Sequence, residues 1–456
     1  MNLPEAFLER MKEQLGTEYD AFVSSYESDV CYGLRINLLK GTADEIIPVL
    51  PFSLRNIPWA PEGFYADSLE HPGRHPLHEA GAYYIQEPSA MSVVSLLDPA
   101  PGETICDLCA APGGKSTQIA GRIQDDGLLV ANEIIPNRAK ILSQNIERMG
   151  ISNVLVCNET PDRMATLFPM FFDKVLVDAP CSGEGMFRKD KTAVTEWSPT
   201  QVEICRERQE TILKQADTLL KPGGVLVYST CTFSPVENED QIRHFLETHK
   251  EYSIEPWQDF LPVSCGITNG SLSGTMRLFP HKLEGEGHFA VRLRKAGTSQ
   301  IVSHKHKEKG NTKNRKKAPE DMSIFWDFIN DNLTNLSIAS TDYFEFFGDE
   351  LYRLPSRIPT VKGIKLERPG LHLGTRKKNR FEPALAFAKT LNPDNVQHIE
   401  CSEEDALRYL HGETLSAHET MHGWTLICHK GFPLGWAKAT QGMLKNHYPK
   451  GLRIQY

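Results

Sequence analysis

The sequence predicts an α/β protein in which a central parallel β-sheet carries helices on both faces and is flanked by two smaller α+β domains. First, strand-like and helix-like segments alternate between about residues 95 and 245, which is typical of βαβ units. Second, the strand-like segments contain almost continuous apolar runs, VLVC, VLVD and VLVY, as strands buried on both faces require. Third, a basic, apolar-poor stretch ending near Pro319 separates this region from the rest of the chain.

Composition restricts the class of protein. The chain has 456 residues, of which 40% are hydrophobic and 24% charged, as is usual for globular proteins. Its ten cysteines are irregularly spaced, unlike the disulfide framework of a short secreted protein. The N-terminus MNLPEAFLERMKEQLG is not typical of a signal peptide, and no apolar run reaches the ~18 residues of a membrane span. We therefore expect a cytoplasmic protein with no membrane partner.

The net charge of −9 argues weakly against a nucleic-acid partner, but the distribution of charge matters more than its sum. The stretch 292–317, RLRKAGTSQIVSHKHKEKGNTKNRKK, is strongly basic and contains Glu308 as its only acid.

The opening unit is predicted to cover residues 1–75. Phe7, Met11 and Leu15 fall on one face of a helical pattern, which predicts an amphipathic helix. RINLLKG then predicts a strand followed by a turn.

The central domain is predicted to cover residues 76–295. Its predicted strands are ETICDLC, GLLVANE, SNVLVCN, DKVLVDAP and GVLVYSTC, and its predicted helices are KSTQIAGRI, RAKILSQNIERMG and VEICRERQETILKQADTLLK. A basic linker is expected at 296–320 and a final α+β domain at 321–456, with an amphipathic helix at FWDFINDNL.

The loop CAAPGGKST, Cys109–Thr117, partly matches a nucleotide-phosphate loop. Such a loop needs G-x-x-x-x-G-K-[ST], and Gly114, Lys115 and Ser116 fit its end. The first glycine is replaced by Cys109, and Pro112 removes a backbone N–H that would bind phosphate. These two departures argue against an NTPase.

A second strand-end acid favours a different ligand. Glu133 follows the strand GLLVANE, and ligands of open α/β sheets lie at the carboxyl ends of the strands. A carboxylate there can accept hydrogen bonds from both ribose hydroxyls of a nucleoside cofactor, while Gly113 and Gly114 allow close approach of the backbone. S-adenosylmethionine, an adenosyl cofactor without phosphates, would suit this site. The alternative is that Glu133 is a solvated strand-end carboxylate.

Two cysteines follow two predicted strands. Cys181 lies in DAPCSGEG and Cys231 in STCTFSPVENE, so adjacent strands would bring both thiols to one cleft. A thiolate that adds to C6 of cytosine makes C5 nucleophilic enough to accept a methyl group. The second thiol would assist release, and Asp178 would hydrogen-bond the base near N3. The alternatives are buried core cysteines and, for Cys106-x-x-Cys109, a redox or zinc site.

These three motifs together resemble the Sun-type (NSUN) RNA cytosine-5 methyltransferases, over roughly residues 1–295 and most strongly the bacterial RsmF/YebU branch. The resemblance implies a Rossmann-like S-adenosylmethionine-dependent methyltransferase core, an N-terminal RNA-recognition domain and a C-terminal RNA-binding, PUA-like domain. It implies Cys231 as nucleophile and Cys181 as the residue for product release, and a cofactor site without a metal. The cofactor-binding residues it implies are Cys109, Ala110, Ala111, Pro112, Gly113, Gly114, Lys115, Glu133, Arg138 and Asp178.

One position departs from the family pattern. Where many members have an acid that contacts the adenine, this chain reads CNETPDRM. We place Thr160 there, although Glu159 and Asp162 remain alternatives.

The partner implied by the resemblance is RNA, specifically 16S ribosomal RNA or the small ribosomal subunit. Candidate phosphate-binding residues are Arg188, Lys189, the stretch 292–317, Arg376, Lys377, Lys378 and Arg380. Trp424, Trp436 and Tyr448 are candidates either for base stacking or for the core. Two other functions stay open: methylation of an exocyclic nitrogen or protein side chain, and an RNA-binding ribosome-assembly factor with a vestigial methyltransferase site.

Overall fold

The structure is a computed structural model that describes residues 3–263, 266–298, 322–334, 343–358 and 360–454. The predicted basic linker, 296–320, lies outside the described residues from residue 299 onward.

The opening unit is a four-stranded antiparallel sheet with short helices. Its elements are α1 (Glu5–Leu15), α2 (Tyr19–Ser24), β1 (Tyr32–Ile36), α3 (Ala43–Ile46), β2 (Leu54–Asn56), β3 (Gly63–Ala66), α4 (Pro76–Glu79) and β4 (Tyr83–Ile85). The strand order is β2-β3-β1-β4. Phe7 and Met11 are fully buried on the inner face of α1, as the helical spacing predicts. Because β4 pairs with β1, this sheet crosses the predicted boundary at residue 75.

The central domain contains the predicted alternation. Its elements are α5 (Pro88–Leu97), β5 (Thr104–Asp107), α6 (Gly114–Ile123), β6 (Leu128–Asn132), α7 (Pro136–Arg148), β7 (Val154–Cys157), α8 (Pro161–Leu167), β8 (Phe172–Asp178), α9 (Lys191–Glu196), α10 (Pro199–Leu219), β9 (Leu220–Thr230), α11 (Glu239–Thr248), β10 (Tyr252–Glu255), β11 (Thr268–Asn269), β12 (Met276–Leu278) and β13 (His288–Lys295). The strands β7-β6-β5-β8-β9 are parallel neighbours, in that order.

Both faces of this sheet are covered, as the apolar strand runs predict. Ile105 of β5 faces a core shared with α5, α6 and α7, whereas the next residue, Cys106, faces a core shared with α8, α10 and α11. This alternation follows from the two-residue period of a strand. The sheet is mixed rather than wholly parallel, because β13 continues it antiparallel to β9.

The C-terminal part forms two further sheets. Its elements are α12 (Ser323–Asn332), β14 (Tyr343–Phe347), β15 (Glu350–Leu354), β16 (Leu366–Arg368), β17 (Leu371–Lys377), β18 (Arg380–Pro383), α13 (Leu385–Thr390), β19 (His398–Glu400), α14 (Glu403–His411), β20 (Leu415–Ser416), β21 (Gly423–His429), β22 (Phe432–Thr440) and β23 (Met443–Asn446). The sheet orders are β14-β15-β17-β18 and β19-β21-β22-β23-β20.

One C-terminal strand joins the central sheet, which the sequence patterns do not predict. Strand β16 pairs antiparallel with the edge strand β7, with Leu366 opposite Cys157. Arg368 of β16 also donates hydrogen bonds to Ser143 and Glu147 of α7, at 3.0 and 2.5 Å. The C-terminal part therefore closes one edge of the central sheet.

The aromatic residues considered for base stacking belong to the core. Trp424, Trp436 and Tyr448 are 8, 2 and 3% exposed, so core packing, the other alternative, is correct. None of the described helices has the length and apolar character needed to cross a membrane.

Candidate active site

The loop between β5 and α6 turns sharply over the end of β6. The Ala110 amide donates to the carbonyl of Asn132 at 2.8 Å, which fixes the loop against the neighbouring strand. Gly113 has φ of 116°, a region that favours glycine. A Cβ at this position would also lie 3.1 Å from Cδ1 of Leu142. The first glycine of the pair is therefore required by both backbone conformation and packing.

Beneath this loop lies an acid that sequence reasoning missed. Asp107, the last residue of β5, is fully buried, and its Oδ2 accepts a hydrogen bond from the Ser116 hydroxyl at 2.6 Å. Its Oδ1 has no partner among the described residues. Burial raises the pKa of Asp107 to about 7, although the Ser116 bond opposes the rise. A buried acceptor without a donor fits a site that receives a ligand with N–H or O–H groups.

Glu133 lies immediately after β6 and is only 3% exposed, so it is not a solvated strand-end carboxylate. Its Oε1 accepts the Ile135 amide at 2.9 Å, and its Oε2 lies 3.3 Å from Nη1 of Arg138. Arg138 also donates to the carbonyl of Ala111 at 2.8 Å. Arg138 therefore links the acid to the glycine-rich loop. A buried carboxylate beside this loop fits the ribose of an adenosyl cofactor.

The end of β7 does not single out one contact for the adenine. Thr160 is exposed and begins α8, and Asp162 is exposed in the first turn of that helix. The Glu159 carboxylate accepts the backbone N–H of Lys365, next to β16, at 2.7 Å. The assignment of Thr160 stays a prediction.

Lys115 and Asp178 form an ion pair between α6 and the end of β8. Lys115 Nζ lies 2.7 Å from Oδ2 of Asp178. The Ser229 hydroxyl donates to Oδ1 at 2.7 Å, and Nε2 of His288 lies 3.7 Å from the same oxygen. Burial alone would raise the pKa of Asp178, but Lys115 and His288 hold it well below its usual range. Asp178 is therefore charged at neutral pH, and Lys115 is committed to it rather than to a phosphate.

The two cysteines meet in the same cleft. Strands β8 and β9 are adjacent and parallel, with Asp178 opposite Ser229, and Sγ of Cys181 lies 3.4 Å from Sγ of Cys231. The hydrogen bond to Cys231, and then burial, raise the pKa of Cys181 well above its usual value. The thiols, the ion pair and the glycine-rich loop thus form one site.

Hydrogen bonds, among them one to a buried acid, join the loop that contains Cys181 to the loop that contains Cys231. The Gly185 amide donates to the carbonyl of Cys231 at 2.8 Å. The Phe233 amide and Arg10 of α1 donate to the buried carboxylate of Glu184, at 3.0 and 2.6 Å. Glu184 could have been recognised from the sequence, because it lies among small residues in the motif of Cys181 and a glutamate there indicates a structural role.

Several of the predicted RNA-binding residues are engaged within the protein, among them Arg292, Arg294, Lys295 and Arg376, which form ion pairs. Arg188 is a structural residue, because its side chain is 6% exposed and lies 2.6 Å from the Glu286 carboxylate. Lys189 donates to the Cys31 carbonyl at 3.1 Å, and Arg380 pairs with Glu382 at 2.6 Å. The prediction of a phosphate contact at Arg188 is wrong, since a remote acid neutralises it.

Cys106 and Cys109 both contact the core on the α8, α10 and α11 face of the sheet. Cys106 is buried in the sheet core, while Cys109 is only partly buried in the loop. Among the described residues, no group of three or more His, Cys, Asp or Glu side chains is arranged to hold a metal ion.

A Rossmann-like sheet with a glycine-rich loop, a buried acid after the second strand and paired thiols defines an S-adenosylmethionine-dependent methyltransferase. Family models cover most of the chain: the N-terminal domain of 16S rRNA methyltransferase RsmF matches residues 3–88, and 16S rRNA methyltransferase RsmB/F matches 94–294. The RsmF first C-terminal domain matches 327–391, and the RsmF PUA domain matches 396–454. The chain belongs to the RsmF branch of these RNA cytosine-5 methyltransferases, which confirms the resemblance.

Individual relatives agree with this assignment. Ribosomal RNA small subunit methyltransferase F of Erwinia tasmaniensis is 32% identical over 98% of this chain and 96% of its own length. The crystal structure of a methyltransferase homolog protein from Pyrococcus horikoshii is 29% identical, covers 64% of this chain and 95% of its own, and has a TM-score of 0.55. The structure of NSun6 from Pyrococcus horikoshii with SFG, 23% identical over 65% of this chain and 99% of its own, shares the fold with a TM-score of 0.57.

Proposed function

We propose that this protein methylates C5 of a cytosine in 16S ribosomal RNA through a transient covalent bond between Cys231 and C6 of the base. The observation that carries the proposal is the contact between the two sulfurs, 3.4 Å apart, in the cleft that also holds the Lys115–Asp178 pair. The names of the curated relatives support the small-subunit RNA as substrate. We place the enzyme in the cytoplasm, where that RNA is made and assembled.

The proposed roles of the two thiols agree with the raised pKa of Cys181 and with the contact between the two sulfurs. A raised pKa keeps Cys181 as a neutral S–H, which can donate its proton toward Sγ of Cys231. A hydrogen bond of this kind stabilises a thiolate, and the thiolate is the nucleophilic form of cysteine. We assign Cys231 as the nucleophile, as the resemblance of its T-C-T motif implies, and Cys181 as its hydrogen-bonding neighbour.

The addition step splits one difficult reaction into easier ones. The Cys231 sulfur bonds to C6, and the electron pair of the C5=C6 bond becomes available at C5. Asp178, charged and fixed by Ser229, accepts a hydrogen bond from the 4-amino group of the base, next to N3. The loop at residues 109–115 and Glu133 would hold S-adenosylmethionine, which would give its methyl group to C5 and leave as S-adenosylhomocysteine. Solvent then takes the C5 proton, the electron pair of the C5–H bond re-forms the C5=C6 bond, and the C6–S bond breaks with the assistance of Cys181. This restores the aromatic base and the Cys231 thiolate.

The base must leave its stack to reach this cleft, at a cost of roughly a few kcal/mol. The PUA domain at 396–454 and exposed basic residues such as Lys377 and Lys378 are suited to hold the RNA backbone and offset this cost. We therefore expect binding to weaken with salt.

Replacing Cys231 with Ala tests the nucleophile. We expect methyl transfer to be abolished while calorimetry shows cofactor affinity within about twofold of the wild type, because the thiolate forms the covalent bond but does not hold the cofactor. Cys205→Ala, at a buried cysteine of α10, is the control. Full activity of Cys231→Ala would instead favour methylation of a nitrogen or protein side chain, which needs no thiol.

Replacing Cys181 with Ala tests release. With the second thiol gone, the adduct between Cys231 and RNA should persist and appear as a shifted band on a denaturing gel when RNA and cofactor are both supplied. The double variant lacking both thiols should show no shift. If Cys181→Ala gives no shifted band, Cys181 has no part in release.

A further inference from the structure

Glu237 is a buried carboxylate at which the two thiol-bearing loops converge. It lies between β9 and α11 and is fully buried. Its Oε2 accepts the backbone N–H of Ser182 at 3.0 Å and the side-chain amide of Gln209 at 2.9 Å. The Ser182 hydroxyl donates to the other oxygen, Oε1. Three hydrogen-bond donors, two from Ser182 beside Cys181 and one from Gln209, therefore bind one carboxylate in the loop that follows Cys231.

The same contacts hold the residues that flank Cys181. Ser182 follows Cys181 directly, and its hydroxyl lies 2.8 Å from that of Thr232, the neighbour of Cys231. Pro180 precedes Cys181, and its carbonyl accepts a second hydrogen bond from Gln209 at 3.0 Å. Glu237 thus fixes the backbone on one side of Cys181 directly and on the other through Gln209.

The next residue, Asn238, does the same for Cys231. Its Oδ1 accepts the Thr230 hydroxyl at 2.6 Å, and its Nδ2 donates to the Thr232 carbonyl at 2.9 Å. Thr230 and Thr232 are the two neighbours of Cys231. Two consecutive side chains therefore fix the chain around both sulfurs.

We propose that Glu237 is a positioning residue that sets the separation of the Cys181 and Cys231 sulfurs by holding the two loops together. The importance of that separation for methylation rests on the proposed function. A charged carboxylate is suited to this task because it accepts several hydrogen bonds at once and binds donors strongly. A glutamine there would turn an amide N–H₂ toward one of the three donors.

The ionisation of Glu237 supports the proposal. Burial raises the pKa of Glu237 to about 7, against the opposing hydrogen bonds from Ser182 and Gln209. Glu184 raises it further through its charge, and Cys181, Cys205 and Tyr228 face the same acid. Because the pKa is raised, the accepting carboxylate is complete above about pH 7 and is lost as pH falls through that value. The hold on the Cys181 loop should weaken in acid.

The test measures sulfur separation without RNA or methyl transfer. Phenylarsine oxide bridges two neighbouring thiols through its arsenic and releases water, so its affinity for the full-length protein reports how the sulfurs are placed. Cys181→Ala identifies the signal from this pair. We expect Glu237→Gln to bind the arsenical at least about tenfold more weakly, whereas Glu207→Gln, at an exposed acid of α10, should match the wild type. Equal affinity in Glu237→Gln would overturn the proposal.

Two further measurements keep the test decisive. The ratio of wild-type to Glu237→Gln affinity should shrink between about pH 8 and pH 6, since only the wild type has a Glu237 carboxylate to lose there, and a constant ratio would contradict the proposal. If Glu237→Gln does not fold, Ser182→Ala and Gln209→Leu should each weaken arsenical binding about threefold or more, and normal binding in both would overturn it. A wild type that binds the arsenical but does not methylate RNA would refute the proposed function and leave this inference standing.

Discussion

Lys115 controls the ionisation of Asp178. The carboxyl group is buried enough that desolvation would raise its pKa, and the ammonium 2.7 Å away reverses that tendency. The pair is partly buried, so salt should screen it less than a fully exposed ion pair. The acid proposed to hydrogen-bond the cytosine is thus kept charged by a residue of the cofactor loop, which couples the two halves of the site.

Replacing Lys115 with Met should make activity dependent on pH. Without the cation, burial is opposed chiefly by His288, and the pKa of Asp178 rises. We expect single-turnover methylation to fall about 100-fold near pH 7 and to recover partly as pH increases and Asp178 ionises. Lys115→Arg keeps the charge and should show no such recovery limb. A pH profile for Lys115→Met that parallels the wild type would show that Lys115 does not set the charge.

Individual residues also show which parts of the site could be predicted from the sequence and which could not. The two thiols and Glu133 were predictable because each follows an apolar strand, and parallel strands end at one edge of a sheet. The prediction of a phosphate contact at Arg188 is wrong because its ion-pair partner, Glu286, is distant in sequence and gives no local signal. Glu237 was visible in the motif of Cys231, but its buried contacts with Ser182 depend on tertiary structure.

Strand β1 of the opening unit supports the cofactor loop directly. Arg35, only 2% exposed, donates to the Gly114 carbonyl at 3.1 Å and to the Thr117 hydroxyl at 2.6 Å. Its Nε also donates to Gln86 at 3.1 Å. Burial lowers the pKa of Arg35 to about 10, so the guanidinium stays charged at neutral pH. The opening unit is therefore part of the frame of the active site.

Replacing Arg35 with Met should weaken cofactor binding. The Gly114 carbonyl loses a buried donor, at a cost of about 1–3 kcal/mol, and the first turn of α6 becomes less well fixed. We expect roughly tenfold weaker binding of S-adenosylmethionine by calorimetry, corresponding to about 1.4 kcal/mol. Arg55→Met, at an exposed arginine of β2, is the matched control. Equal affinity in both variants would show that β1 does not support the loop.

Among the elements, the core strands were predictable and β16 was not. Each core strand is buried on both faces and therefore has a distinctive apolar run. Strand β16 is short, contains Glu367 and Arg368, and forms only because the edge of β7 offers backbone partners. A pairing between segments so far apart in sequence leaves no local signal.

At the scale of the whole molecule, both ends of the chain contact the catalytic domain. Arg10 of α1 lies 2.6 Å from Glu184 beside the thiols, whereas Arg368 of β16 lies 2.5 Å from Glu147 of α7. The opening unit therefore contacts the active site, and the C-terminal part contacts the far edge of the sheet. We expect the domains to depend on one another for stability.

Replacing Arg368 with Met should loosen that far edge. The side chain is buried beside Ser143 and Glu147, so its loss leaves the half-buried acid Glu147 without this partner and weakens the pairing of β16 with β7. Hydrogen–deuterium exchange of peptides covering 154–159 should become about tenfold faster or more, as local opening costs less. Arg380→Met, at an exposed hairpin position, should leave that exchange unchanged. Unaltered exchange in Arg368→Met would show that the edge is stable without this arginine.

The pairing of β16 with β7 has a consequence during synthesis. The ribosome completes β7 long before it reaches Leu366, so the emerging catalytic domain has an open strand edge throughout that interval. An open edge is a template for pairing with other chains. Until β16 has been synthesised and pairs with β7, the nascent protein can aggregate through this edge. Binding of a chaperone during that interval would protect it.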